Sequence, residues 1–124
     1  VICSFVEDIY YLASMLSAQD DLTVLQVKDY IKNPKENGYR SLHLIIQTPI
    51  FLSDQKKNMR VEVQFRTIAM DFWASVDHKL KYKKNVKNPE MIVGELRKCA
   101  DIISSVDQRM QEIRTMIEEG EIDD

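Results

Sequence analysis

Scarcity says the first things about this sequence. Its 124 residues include three Gly, three Pro and two Cys. So few chain breakers leave little room for low-complexity linkers, and the length fits one folded unit that buries a core without staples. Cys3 and Cys99 lie far apart, with no CxxC or Cys/His spacing around them. That excludes the familiar zinc patterns and predicts two reduced, buried thiols in a cytoplasmic protein. No apolar run approaches the ~20 residues that span a bilayer, and nothing reads as a signal peptide. Excess positive charge is also missing: 17 Lys and Arg against 20 Asp and Glu leave a net charge of −3. A general field for duplex nucleic acid or anionic membrane is therefore not indicated, and any anion site must be local. Neither GxxxxGK[ST] nor GxGxxG occurs, so a bound phosphate would be held by side chains rather than by a Walker or Rossmann loop.

What is present alternates between the two hydrophobic periods. The chain opens without Met on "VICSF", a strand-like stretch over Val1 to Phe5 that makes a poor natural terminus, so a fragment with its upstream part missing is expected. Ile9, Leu12, Ala13 and Leu16 then recur at helical spacing. In "DLTVLQVKDYIK" the strand period puts Thr23, Leu25, Val27 and Ile31 on one face and Lys28, Tyr30 and Lys32 on the other. After a turn at Asn33-Pro34 and Gly38, a strand from Tyr39 to about Gln47 sets Leu42, Leu44 and Ile46 against Tyr39, Ser41 and His43. "MRVEVQFRT" alternates Met59, Val61, Val63 and Phe65 with Arg60, Glu62, Gln64 and Arg66. A helix with Met70, Trp73, Val76 and Leu80 on its apolar side follows from Ile68 to about Lys83, with lysines crowding its C-terminal end and His78 on its surface.

The last helix starts from Asn88 as N-cap with Pro89 in its first turn and runs to Gly120. Its stripe of Ile92, Leu96, Cys99, Ile103, Val106, Met110, Ile113 and Ile117 steps by fours and threes, which suits packing on a neighbour, on the sheet or in an oligomer. The tail "EEGEIDD" reads as solvated.

Strand parity gives a concrete site. Three consecutive strands present Lys28 and Lys32, then Tyr39, Ser41 and His43, then Glu62, Gln64 and Arg66 on one side of an antiparallel sheet, with the other side as core. Such a wet face is ordinary in sheets, but its chemical variety is not. Cations hold phosphate oxygens, a tyrosine ring stacks on a base, and one carboxylate among cations binds Mg²⁺ or accepts a proton from a hydroxyl. Together these describe a nucleotide pocket. Arg40, of opposite parity, points elsewhere.

"NPKENGYRSLH" followed by "VEVQFRTIAMDFWASVDHKLKYK" resembles the synthetase domain of the RelA/SpoT family, in particular its short single-domain members, the small alarmone synthetases. The resemblance implies an α+β fold of the nucleotidyltransferase-like type: a mixed, largely antiparallel sheet, helices on one face and a long C-terminal helix. It also implies Mg²⁺-dependent transfer of the β,γ-pyrophosphate of ATP to the ribose 3′-hydroxyl of GDP or GTP, giving (p)ppGpp, the alarmone of the stringent response. Tyr39 would stack on guanine, and Asn37 and the backbone near Ala74 would help read its edge. Lys28, Lys35 and His43 would approach the acceptor's phosphates and ribose. Glu62 would assist deprotonation of the 3′-hydroxyl and contribute to the Mg²⁺ site, with Gln64 and Arg66 as nearby support; Lys32 and Ser41, from strand parity, are further supporting residues of the polar face.

The Arg/Lys/Ser-rich ATP-binding stretch and the Asp-containing metal motif that such proteins place ahead of "VICSF" are not in these residues. The expectation is one partial domain, its acceptor half over 1–87 and its helix over 88–120, inactive alone but taken from a cytoplasmic synthetase. Homo-oligomers, commonly tetramers, are implied for the intact protein, with no membrane partner. No HD-type metal pair appears, so hydrolysis is not expected. The alternative is a guanine-nucleotide-binding or regulatory module without catalysis; single-stranded RNA is the secondary ligand class, disfavoured by the acidity.

Overall fold

The computed structural model describes residues 1–81 and 87–121. The elements run β1 (Ile2–Cys3), α1 (Val6–Ser17), β2 (Thr23–Asp29), β3 (Leu42–Phe51), β4 (Lys56–Thr67), α2 (Ile68–Lys81) and α3 (Pro89–Met116), closed by a π-helical turn at Ile117–Glu121. The strands form one sheet in the order β1-β4-β3-β2. β2 and β4 both run antiparallel to β3, and β1 pairs parallel to β4 through Ile2 opposite Arg66. This is the expected mixed, largely antiparallel α+β architecture.

Period-two residues build the core on one side of the sheet. Leu42, Leu44, Ile46 and Phe65 are buried beneath α1, which contributes Ile9 and Ala13, while α2 contributes Met70. Ile9 is 0 % exposed, and burying such a side chain contributes about 2 kcal/mol relative to leaving it in water. Thr67 shares parity with Phe65, and its hydroxyl has two jobs. It accepts the Met70 amide at 3.1 Å, capping the start of α2, and donates to Asp107 Oδ2 at 2.8 Å. Arg40 lies 3.6 Å from the same carboxylate. The α2–α3 corner is thus on the apolar side with α1, and Arg40 does point away from the polar face. Burial pushes the Asp107 carboxyl above its usual range, against the opposing pull of Thr67 and Arg40.

Several expectations shift in detail. β1 is two residues long rather than five, and β3 begins at Leu42, so Tyr39 and Ser41 precede the paired strand. A bulge between Val24 and Gln26 breaks the parity of β2, so Val24 packs on the core while Leu25 is exposed. In α2 the buried stripe is Met70, Trp73 and Asp77, whereas Val76 and Leu80 are exposed. The lysine cluster after α2 lies mostly outside the described residues. Asn88 does stand at the start of α3, but its φ is 57° and its side chain makes no cap; its carbonyl instead accepts the Met91 and Ile92 amides. Cys3 is buried as expected, yet Cys99 is exposed, because the face of α3 that meets the body runs through Ala100, Ile103 and Asp107. Much of the predicted stripe, Val106, Met110, Ile113 and Ile117, therefore stands open.

Gly38 shows how tightly the loop before β3 is set on α3. Its φ is +99°, and a Cβ there would lie 2.4 Å from the Ala100 Cβ. Backbone strain and overlap act together, so Gly38→Ala is expected to cost about 2 kcal/mol. Urea denaturation checks this; an unchanged midpoint would show that the loop does not rest on Ala100.

Candidate nucleotide site

The site starts with a turn. Gly38 donates its amide to the Lys35 carbonyl at 2.8 Å, Lys35 donates back to the Tyr39 carbonyl at 3.1 Å, and the Asn37 side-chain Oδ1 accepts the Tyr39 amide at 3.0 Å. This short network aims Tyr39 at the polar side just before β3 begins. It also occupies Asn37 Oδ1 in shaping the turn, so a ligand contact by Asn37 falls to its Nδ2.

The register then brings the predicted side chains together. Lys28 pairs with His43 across β2 and β3, and His43 pairs with Gln64 across β3 and β4. Glu62 sits diagonally beside them, with Oε1 2.9 Å from His43 Nδ1. The Tyr39 hydroxyl is the hub: it receives the Arg66 guanidinium at 2.8 Å and the hydroxyl of Ser41, a fully buried side chain, at 3.0 Å, and meets His43 Nε2 at 3.1 Å. A guanidinium only donates. With Arg66 and Ser41 both donating to it, the Tyr39 hydroxyl donates its own hydrogen bond to His43 Nε2, which places the His43 N–H on Nδ1, pointed at Glu62. Burial pulls the His43 pKa below its ordinary value, although the Glu62 carboxylate works in the opposite direction. A neutral imidazole suits this chain of hydrogen bonds.

Arg66 is held by three partners, since it also donates to Gln64 Oε1 at 2.8 Å and to Asp71 Oδ1 at 3.2 Å. Lys35 Nζ lies 4.9 Å from the Tyr30 ring centroid and 5.3 Å from that of Tyr39. Beside this cluster is a concavity of about 420 Å³ lined by Tyr39, Arg66, Ala74, Ser75, Asp77 and His78. Ala74 is therefore at the rim with Tyr39.

One predicted member is elsewhere. Lys32 Nζ lies over the ring of Tyr10, at 5.6 Å, on the α1 side. The cause is Asp29, whose Oδ1 accepts the Ile31 and Lys32 amides at 3.0 Å each and ends β2, so alternation no longer applies by residue 32. Two residues of consequence had no role in the sequence reading. Tyr30, on the expected face, meets Tyr39 and His43 edge-on, a placement its parity with Lys28 already signalled. Asp71 holds Arg66, and its only signal was its place one turn into the following helix.

Among the described residues no three of His, Cys, Asp and Glu converge to hold a metal ion. Glu62, half exposed, offers one carboxylate. Mg²⁺ commonly takes one or two carboxylates together with phosphate and water oxygens, so the donor set here fits that ion only with a bound nucleotide completing it.

Residues 1–87 match the family model described as "Region found in RelA / SpoT proteins". The chain belongs to the RelA/SpoT family. It is 46% identical over 118 residues to the GTP pyrophosphokinase YwaC of Bacillus subtilis, covering 95% of this chain and 56% of that protein. With the GTP pyrophosphokinase YjbM of the same organism it shares 40% over 121 residues, covering 98% and 57%. Among solved structures it superposes on the small alarmone synthetase 1 from Bacillus subtilis bound to its product pppGpp with a TM-score of 0.86 at 41% identity, covering 95% of this chain and 60% of that one. For small alarmone synthetase 2 the values are 0.87, 47%, 93% and 62%. The chain thus spans under two thirds of the length of these relatives. This RelA/SpoT chain also has no helix, among its described residues, long and apolar enough to cross a membrane.

The hub makes a stability prediction separate from any ligand. Tyr39→Phe keeps the ring but strips partners from Arg66, from His43 and from the buried Ser41 hydroxyl. Leaving such groups unsatisfied costs about 2 kcal/mol, to be read by chemical denaturation. A Tyr39→Phe variant as stable as the parent would mean that the hydroxyl network is not organising the turn.

Proposed function

We propose that this chain is the acceptor side of a (p)ppGpp synthetase. GDP or GTP lies on the polar face, the base against Tyr39, the phosphates toward Lys28 and Lys35, and the ribose 3′-hydroxyl beside Glu62. One observation carries this reading: an aromatic ring and a half-exposed carboxylate lie on one wall, joined through His43, with cations around them. The names of the relatives, and the product bound to one of them, support it. Because Lys35 Nζ hovers over the Tyr39 ring and Lys35 is exposed, an incoming base would swing that flexible chain aside toward its own phosphates.

In the proposed reaction Glu62 takes the 3′-hydroxyl proton, the 3′-oxygen bonds to the β-phosphorus of ATP, and the bond from that phosphorus to the α,β-bridging oxygen breaks, releasing AMP. Positioning and charge stabilisation supply most of the acceleration in such transfers. Lys28 and Lys35 neutralise the acceptor's phosphates, while Arg66, pinned by Gln64 and Asp71, holds Tyr39 in place. Mg²⁺, when bound by Glu62 and nucleotide phosphates, would neutralise charge on the transferred group. The basic ATP-binding stretch and the Asp-containing metal motif expected ahead of Val1 are not in these 124 residues, so most of the ATP site is lacking and the chain alone is proposed to bind acceptor without turnover. The open apolar stripe of α3 is a candidate surface for homo-oligomers of the intact, cytoplasmic protein.

Calorimetry with GDP tests the acceptor site directly. Stacking on an aromatic contributes about 1–3 kcal/mol per base, so Tyr39→Ala is expected to weaken GDP by roughly tenfold or more, with Glu62→Gln within about threefold of the parent. In a protein that supplies the ATP site, Glu62→Gln should lower turnover by about 10²–10⁴ with the acceptor KM little changed. Equal GDP affinity for Tyr39→Ala, or full turnover for Glu62→Gln, contradicts the assignment.

A further inference from the structure

The loop that carries Tyr39 closes one turn of its own around Gly38 and is tied in front to Arg66, Ser41 and His43 through the Tyr39 hydroxyl. Its backbone is gripped from behind by α3. Four positions along the inward side of α3 grip it or its immediate neighbour. Leu96 accepts the indole N–H of Trp73 at 3.0 Å through its carbonyl, and Trp73 lies 6.4 Å from the Tyr39 ring. Arg97 donates to the Lys35 carbonyl at 3.3 Å. The Ala100 methyl abuts Gly38, and Asp107 faces Arg40 at 3.6 Å. The void left between loop and helix is about 10 Å³, space for no ligand.

Spacing makes this a splint. Positions 96, 97, 100 and 107 fall on one side of a helix over three turns, so one rigid element fixes both ends of the turn and its middle. Asp107 does more than face Arg40, because its other partner is the buried hydroxyl of Thr67 at the junction of β4 and α2. The same carboxylate therefore ties the loop to the end of the strand that carries Glu62, Gln64 and Arg66. Arg40 and Asp107 point away from the nucleotide wall, and Asp107 is 5 % exposed, so neither can touch a ligand lying there.

We propose that Arg40 and Asp107 are positioning residues for the acceptor nucleotide: their contact holds the Tyr39 loop in register with β4, and loosening it weakens guanine-nucleotide binding with no ligand contact removed. The idea rests on the acceptor-site reading above. Its physical basis is that a loop which must be ordered at the moment of binding charges that ordering to the affinity.

The test is a double-mutant cycle on GDP affinity by calorimetry with the 124-residue chain. Arg40→Gln and Asp107→Asn are each expected to weaken GDP about tenfold, and the double variant also about tenfold rather than a hundredfold, since the two act as one device. Arg40→Lys, which keeps a cation facing Asp107, should return to within threefold of the parent. A purely structural role would lower the urea midpoint and leave the GDP affinity of the folded variants unchanged; that result, or a fully additive cycle, overturns the proposal. Should the buried variants not fold, Arg97→Ala removes an exposed grip and is expected to weaken GDP about threefold, with unchanged affinity counting against the splint. Absence of GDP binding by the unaltered chain removes the acceptor reading and this proposal together, whereas strong binding by the parent and all variants alike removes the splint alone.

Discussion

Everything in the site is arranged around one phenolic oxygen. The Tyr39 hydroxyl meets a guanidinium from β4, a buried serine hydroxyl from the segment entering β3 and an imidazole on β3. Three pieces of chain that the ladder bonds alone would leave with freely turning side chains are thereby fixed against one another. The arrangement is directional, because a guanidinium can only donate. The direction passes through His43 to Glu62, so a residue on a loop helps to orient that carboxylate. In the proposed reading Tyr39 has two roles at once, its ring a platform for the base and its hydroxyl a bolt.

That economy fits what guanosine phosphates require. A purine needs a flat apolar surface, its phosphates need cations at a distance set by the ribose, and a hydroxyl to be activated needs a carboxylate held still. On an antiparallel sheet, cross-strand neighbours supply these at spacings of roughly 5 Å, without the glycine-rich loops on which other nucleotide folds rely. The apolar side of the same sheet, with α1 below and α2 and α3 at one end, gives the wall its rigidity.

Much of this is legible in the order of residues, and the failures have identifiable causes. Lys28, His43, Gln64 and Glu62 fall together because β3, β4 and the part of β2 beyond its bulge pair in a register that the alternation of Leu42, Leu44 and Ile46 imposes. Lys32 is misplaced because one aspartate, Asp29, captures the next backbone amides and ends the strand early. Leu25 is misplaced by a bulge. On α3 the apolar period docks only in its first half, through Leu96 and Ile103, and stays open from Val106 to Ile117, while the docking face is completed by Ala100, where small size admits Gly38, and by Asp107, where charge meets Arg40. No hydrophobic pattern announces a docking face completed by an alanine and an aspartate. The family resemblance, carried by Gly38 through His43 and by Glu62 through Thr67, draws on the same residues that the geometry brings together.

The claim beneath all of this is that one guanosine nucleotide spans the wall from Tyr39 to Glu62. A crystal structure of the chain with GDP measures it most directly. The account predicts the guanine lying parallel to the Tyr39 ring and the ribose 3′-oxygen within about 3 Å of the Glu62 carboxylate, the reach of a general base. A nucleotide seated elsewhere, or one whose ribose turns its 3′-oxygen away from Glu62, would contradict it.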